Sequence, residues 1–142
     1  PPTYDTPDAE VYLVGRNVAL LAKAGIVAAR ADARRIVVGA LAGNPFPDTT
    51  PAFFTAMAEA LSRGLAHALT IAAPFAALQK SQVIELGARL GVPFELTLSC
   101  MKPAGGEHCG RCSKCRERRD AFAEAGVTDP TPYAQAAPRP AS

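Results

Sequence analysis

From Val11 onward the apolar residues settle into a helical rhythm. Val14, Val18, Leu21, Gly25 and Ala28 recur at three- and four-residue steps, a stripe that must face a core. Residues 1–10 before it are polar and broken by prolines, and read as an exposed lead-in. Arg35 to Ala40 is a short β-branched run without alternation, the pattern of a parallel strand covered on both faces. A loop follows from Leu41 to Thr49. Thr50-Pro51 then predicts a helix start, a hydroxyl cap followed by proline at the first helical position. That helix runs from Ala52 to about Arg63, with Phe53, Phe54, Met57 and Leu61 inward. Leu69 to Ala72 reads as a second buried strand, stopped by Pro74. Gln79 to Leu90 is a further amphipathic helix, with Val83, Leu86 and Leu90 on its apolar face. Gly91 suits the left-handed residue that ends it, and Pro93 blocks continuation. Phe94 to Leu98 reads as extended, a charged helix follows Cys115 as far as Ala125, and Thr128 to Ser142 is a proline-rich tail with few anchors.

Helix, strand, helix, strand, helix is an α/β order with a parallel sheet. Two strands alone leave open edges, so the sheet is expected to be incomplete within these 142 residues. A preceding segment or another chain would supply the missing strands.

Length and charge narrow the classes. The chain amounts to one domain, and fifteen basic against thirteen acidic residues give a net charge of +2. That balance is too even to imply nucleic-acid binding by charge alone. There is no run of eighteen apolar residues and no basic-then-apolar leader, so neither a membrane span nor a signal peptide is expected. The chain opens on Pro1 without a methionine, as a processed protein or a piece of a longer one would.

The candidate chemistry lies between Cys100 and Cys115. All four cysteines are there, and Cys109, Cys112 and Cys115 are spaced two residues apart. Four thiolates can close a tetrahedral shell around Zn²⁺, with Gly110 giving the backbone room to turn. A disulfide framework suits a small secreted chain with a poor core, whereas 49% of these residues are apolar. A redox Cys-x-x-Cys pair needs only two cysteines. The reading is therefore a closed, structural zinc site of Cys100, Cys109, Cys112 and Cys115, with His108 as a neighbour. Such cysteines fit a reducing cytoplasm. Lys102, Arg111, Lys114, Arg116, Arg118 and Arg119 surround a centre of formal charge −2 and would offset it; contact with phosphate or RNA is the other use of such a patch.

Taken with the order of elements, several segments resemble the QueC family, 7-cyano-7-deazaguanine synthase, over its C-terminal two-thirds. They are Gly15-Arg16-Asn17; the loop Asn44 to Phe53 with Pro47-Asp48 and Pro51; Leu78-Gln79-Lys80; Leu90-Gly91-Val92-Pro93; and Leu96-Thr97-Leu98-Ser99-Cys100 running into the other cysteines. The resemblance implies a PP-loop ATP pyrophosphatase with a Rossmann-like, adenine nucleotide alpha hydrolase-like parallel sheet. Residues 1–98 would be the C-terminal part of the nucleotide-binding domain, 99–127 the zinc-binding segment and helix, and 128–142 the tail. It implies ATP with Mg²⁺ as substrate, adenylation of the carboxylate of 7-carboxy-7-deazaguanine, and ammonia as the second substrate. It also implies a cytoplasmic homodimer with no membrane and no direct nucleic-acid partner. It assigns Arg16 and Asn17 to the edge of the nucleotide or substrate pocket, Asp48 to the loop facing substrate, and Lys80 to phosphate or the adenylate. Lys80 and Asp48 are thus the catalytic candidates. Taken without the resemblance, these are a surface arginine, a loop aspartate and an exposed first-turn lysine.

The chain also departs from the family. The pyrophosphate-cradling Ser-Gly-Gly-x-Asp-Ser loop is nowhere in it, so the 142 residues alone are expected to be inactive. Thr49-Thr50-Pro51-Ala52-Phe53 stands where the family typically has Cys-Arg-Pro-Glu-Phe, and Met101 where an aromatic often follows the first cysteine. Two alternatives follow: a related adenylating enzyme acting on a tRNA base or a protein terminus, and a non-enzymatic zinc module that binds RNA or a partner.

Overall fold

The computed structural model describes residues 2–103 and 105–138. Its elements are helix α1 (Arg16–Arg30), strand β1 (Arg35–Val37), helix α2 (Pro51–Gly64), strand β2 (Thr70–Ala72), helix α3 (Lys80–Arg89) and helix α4 (Ser113–Glu124). Tight 3-10 turns occupy Asp8–Val11, Pro47–Thr49 and Phe94–Leu96. Among the described residues no helix is long and apolar enough to cross a membrane. The chain divides into two compact units, Tyr12–Gln79 and Pro1–Val11 with Lys80–Ser142.

In the unit Tyr12–Gln79, β1 and β2 pair in parallel, with Ile36 opposite Ile71. Helix α1 packs on β1 and α2 on β2. Leu21, Gly25 and Ala28 of the expected stripe are buried, and α1 comes close to α2 at Gly25: a Cβ there would lie 3.0 Å from the end of the Leu61 side chain, which would have to shift. Val14 and Val18 of the same stripe are exposed, Val14 because it precedes the helix. The Thr50 hydroxyl caps α2 as expected, accepting from Phe53 N at 3.2 Å. Phe54 is buried, while Phe53, Met57 and Leu61 are half-buried. Ser62 joins α2 to β2, accepting from Leu69 N at 2.9 Å.

The strands are shorter and less covered than their sequence suggests. The run to Ala40 forms a strand only as far as Val37, which is 63% exposed. Among the described residues the sheet has two strands and no neighbour on either side. Leu20, Ile26 and Val27 of α1 also face solvent. A parallel pair buries both faces only when further elements cover them, and these residues do not supply them.

In the second unit α3 packs on α4 through Ile84, Ala121 and Phe122, with Phe94 edge-on to Phe122 at 5.0 Å. Gly87 admits the Phe94 ring, whose Cζ would lie 2.8 Å from an added Cβ. Gly91 ends the α3 segment at φ +70° as its position predicts, but Leu90 is exposed. Phe94–Leu96, expected to be extended, closes into a turn, because Leu96 N donates to Pro93 O at 3.0 Å. Helix α4 starts at Ser113, ahead of Cys115, since Cys112 takes the extended capping conformation. The proline-rich tail, expected to have few anchors, is held as far as Gln135: His108 N donates to Pro132 O at 3.1 Å, Ala134 N to His108 O at 2.9 Å, and Arg119 to Gln135 O at 3.1 Å. Residues 139–142 of that stretch lie outside the described residues.

Candidate metal centre and the residues around it

The four sulfurs of Cys100, Cys109, Cys112 and Cys115 lie within 4.8 Å of one another, and no cysteine is in a disulfide. A tetrahedral ion with metal–sulfur bonds of about 2.3 Å has edges of about 3.8 Å. Observed edges are 3.5 Å for Cys112–Cys115, 3.9 Å for Cys109–Cys115 and 4.0 Å for Cys100–Cys112. The set can hold one metal ion, and Cys100, Cys112 and Cys115 are buried.

Local structure explains the convergence. Cys112 caps α4 and Cys115 sits in its first turn, so both sulfurs lie at the helix's positive end, which favours thiolate. Gly110 takes φ +76°, and a Cβ there would lie 1.9 Å from Gln135 O. Bonds to sulfur come from backbone amides: Lys102 N reaches Cys100 Sγ at 3.2 Å, Cys109 N the same sulfur at 3.3 Å, and Arg111 N Cys109 Sγ at 3.4 Å. With only protons to share, the thiols are unequal. Burial, reinforced by Cys112 and Cys100, pushes Cys115 up to about 12. Burial acts upward on Cys112 too, but the amides of Met101 and Cys115 bring it down to about 7. A divalent cation replaces those protons and removes the conflict.

Three of the neighbouring arginines have structural partners. Arg119 donates to Gly110 O at 2.9 Å and lies 3.8 Å over the Tyr133 ring; Arg116 reaches Thr6 O at 3.5 Å. Arg118 is buried and donates to Asp129 Oδ1 at 3.1 Å, Thr97 Oγ1 at 2.8 Å and Phe94 O at 3.2 Å. Asp129 also accepts from Tyr133 OH at 2.6 Å. Burial alone would raise the Asp129 carboxyl, but bonds from Thr131 and Tyr133 and the Arg118 charge hold it below its ordinary value. This network joins the 94–99 segment, α4 and the tail around the metal loop. His108 stands outside the four-sulfur set. Its Nε2 accepts from Ser99 N at 3.0 Å, tying the residue before Cys109 to the residue before Cys100. Burial, and then the Arg118 charge, hold its pKa below the usual histidine value.

The remaining candidates fall in two places. Arg16 and Asn17 begin α1 and line a hollow of about 210 Å³, together with Gly39, Asn44, Thr49 and Phe54. The hollow lies beside the residues that follow β1, where ligands sit in open α/β sheets. The Arg16 guanidinium is 5.7 Å from the centre of the Phe46 ring. Asp48 is buried, and its Oδ2 accepts from Asn17 N at 3.0 Å, capping α1 from another part of the chain where Gly15 has no side chain to do so. Asn17 Nδ2 returns a bond to Asp48 O at 3.0 Å, and Asp48 Oδ1 has no hydrogen-bond partner among the described residues. Lys80 belongs to the other unit. It opens α3 and pairs with Glu117, whose other oxygen accepts from Lys114 at 2.6 Å. Burial works to raise Glu117, but the two lysines outweigh it and hold the carboxyl low. Sequence reasoning passed over Glu117 and Asp129. The Lys114–Glu117 spacing of three on a helix could have marked the first; nothing local marks the second.

The chain matches the family model described as queuosine biosynthesis protein QueC over residues 4–126. Among similar proteins is the 7-cyano-7-deazaguanine synthase of Anaeromyxobacter dehalogenans, 43% identical over 87% of this chain and 56% of the relative. That of Oceanobacillus iheyensis is 40% identical over 91% of this chain and 59% of its own length. That of Methanopyrus kandleri is 45% identical over 62% and 40% respectively. The chain spans about half the length of these relatives. The match through Gly15-Arg16-Asn17, Lys80 and all four cysteines covers most of the chain, which belongs to the family of the queuosine biosynthesis protein QueC.

Proposed function

We propose that this chain is part of an ATP-dependent carbon–nitrogen ligase that converts 7-carboxy-7-deazaguanine and ammonia to 7-cyano-7-deazaguanine in queuosine biosynthesis. The observation that carries the reading is the identity of 40–43% with 7-cyano-7-deazaguanine synthases across some nine-tenths of the chain. The chemistry is one of leaving groups. A carboxylate oxygen leaves poorly; after attack on ATP, with pyrophosphate released, it leaves as AMP. Ammonia displaces that AMP to give the amide. A second adenylation, on the amide oxygen, lets AMP leave again and forms the nitrile. The protein's part is to hold two anions together and to meet the charge that develops on phosphate.

Lys80 would meet the phosphates or the adenylate, aided by the positive end of α3. Arg16 and Asn17 would edge the pocket, and Asp48 would shape the substrate-facing loop by fixing Asn17. ATP would carry Mg²⁺. The four cysteines would hold Zn²⁺ in a closed shell that leaves no place for water, so the metal braces the fold and takes no part in the reaction. The enzyme would work in the cytoplasm as a homodimer. The 142 residues lack the Ser-Gly-Gly-x-Asp-Ser loop, so the reading concerns the protein that carries this chain.

One observation supports a second reading, adenylation of a different acceptor. Thr49 lines the hollow, yet its hydroxyl donates to Phe46 O at 2.7 Å, and the Thr50 hydroxyl caps α2. This loop therefore offers no cation where the family typically has arginine. The test is release of AMP and pyrophosphate by the protein carrying this chain. It should require 7-carboxy-7-deazaguanine and not respond to unrelated purines; equal stimulation by other purines would return the assignment to the broader class of adenylating enzymes.

A further inference from the structure

Glu117 follows Cys115 by two residues on α4, so its backbone is set by the turn that carries two of the four thiolates. Packing of Ile84 on Ala121 and Phe122 fixes α3 against that helix. The Glu117 carboxylate bridges two cations: Oε1 accepts from Lys80 Nζ, and Oε2 from Lys114 Nζ at 2.6 Å. The three side chains are only 25–33% exposed, so this is not a freely solvated surface pair.

The arrangement has two consequences for Lys80. A lysine has a flexible four-carbon stem, and a carboxylate partner restricts it before any substrate arrives. The ammonium has three donors, and Glu117 takes one, which leaves two for an anion. A lone Lys–Glu pair would be neutral and attract an anion weakly. Because Lys114 shares the same carboxylate, the negative charge of Glu117 is divided between two ammonium groups and offsets that of Lys80 less than a lone pair would.

We propose that Glu117 is a positioning residue of the adenylation reaction: it holds the Lys80 ammonium at the start of α3 for a phosphate or acyl-adenylate oxygen, and so links the metal-braced turn to the chemistry. The inference rests on the reading that Lys80 meets that anion. It is tested by acceptor-dependent ATP turnover in the protein carrying this chain, with Lys80→Ala, Glu117→Ala, Glu117→Gln and the double variant Lys80→Ala/Glu117→Ala. Glu117→Ala should lower kcat about tenfold through misplacement of the cation, with metal content and melting temperature unchanged. Glu117→Gln keeps an acceptor oxygen without the charge and should fall between. The double variant should be no slower than Lys80→Ala alone, since Glu117 acts through Lys80. Losses that multiply in the double variant, or a fully active Glu117→Ala beside an impaired Lys80→Ala, would overturn the inference. Full activity in Lys80→Ala would instead remove the reading on which it rests. Should Glu117→Ala lose its metal, the same cycle with Glu117→Gln decides: a loss that vanishes in the Lys80→Ala background supports positioning, and wild-type turnover contradicts it.

Discussion

At the scale of single residues, the most informative side chain is one the sequence does not advertise. Arg118 looks like one more member of a basic stretch, yet it is buried against Asp129, eleven residues away beyond Gly126. No periodicity links them, because the chain must first fold back for the pair to exist. The sequence gives no sign that Asp48 caps α1, since its partner Asn17 is thirty-one residues distant. The cysteines were legible because their spacing alone limits what four thiolates can do. Removing one partner of a buried pair leaves the other charge uncompensated, so Asp129→Asn should cost about 3 kcal/mol of the unfolding free energy near pH 7. The folded pKa of Asp129 is lowered. Its contribution is therefore whole above the unfolded value of about 4 and is lost as pH falls through the folded value. Urea titrations of wild type and Asp129→Asn should differ at neutral pH and converge in acid; a gap that is constant with pH contradicts the assignment.

At the scale of elements, the helices read well because their stripes and end signals agree. Thr50-Pro51 and Gly91 both act as their types predict. The misreadings lie where tertiary contacts prevail. The Phe94–Leu96 turn follows from a bond to Pro93, and the tail is held by His108, Arg118 and Arg119 and by its own Tyr133, which packs on the cysteine cluster. Gly110 is where the metal loop and the tail meet, since a Cβ there would enter the space of Gln135 O. Gly110→Ala should therefore displace the tail and destabilise the second unit by on the order of 2 kcal/mol, through overpacking and a left-handed backbone. Metal transfer to a competing chelator should become faster than in wild type. An unchanged transfer rate and melting temperature would mean that the close approach has no mechanical role.

At the scale of the whole chain, the α/β order and the incompleteness of the sheet were both visible in the sequence. Two buried-type strands with no others around them predict open edges, and Val37 and the outer face of α1 are indeed exposed. What the sequence did not reveal is the division into two units at Gln79–Lys80, because the Pro1–Val11 lead-in joins the metal-bearing half through contacts such as Arg116 with Thr6. The functional proposal rests on family membership together with residues in both units. Its most direct test gives the protein carrying this chain 7-carboxy-7-deazaguanine, ATP and ¹⁵N-ammonium, then measures product by mass spectrometry and AMP by chromatography. The expected product is a nitrile that carries one ¹⁵N, with two AMP released for each nitrile formed. Metal-replete protein that consumes ATP on another acceptor, and yields no labelled nitrile from this one, would contradict the proposal.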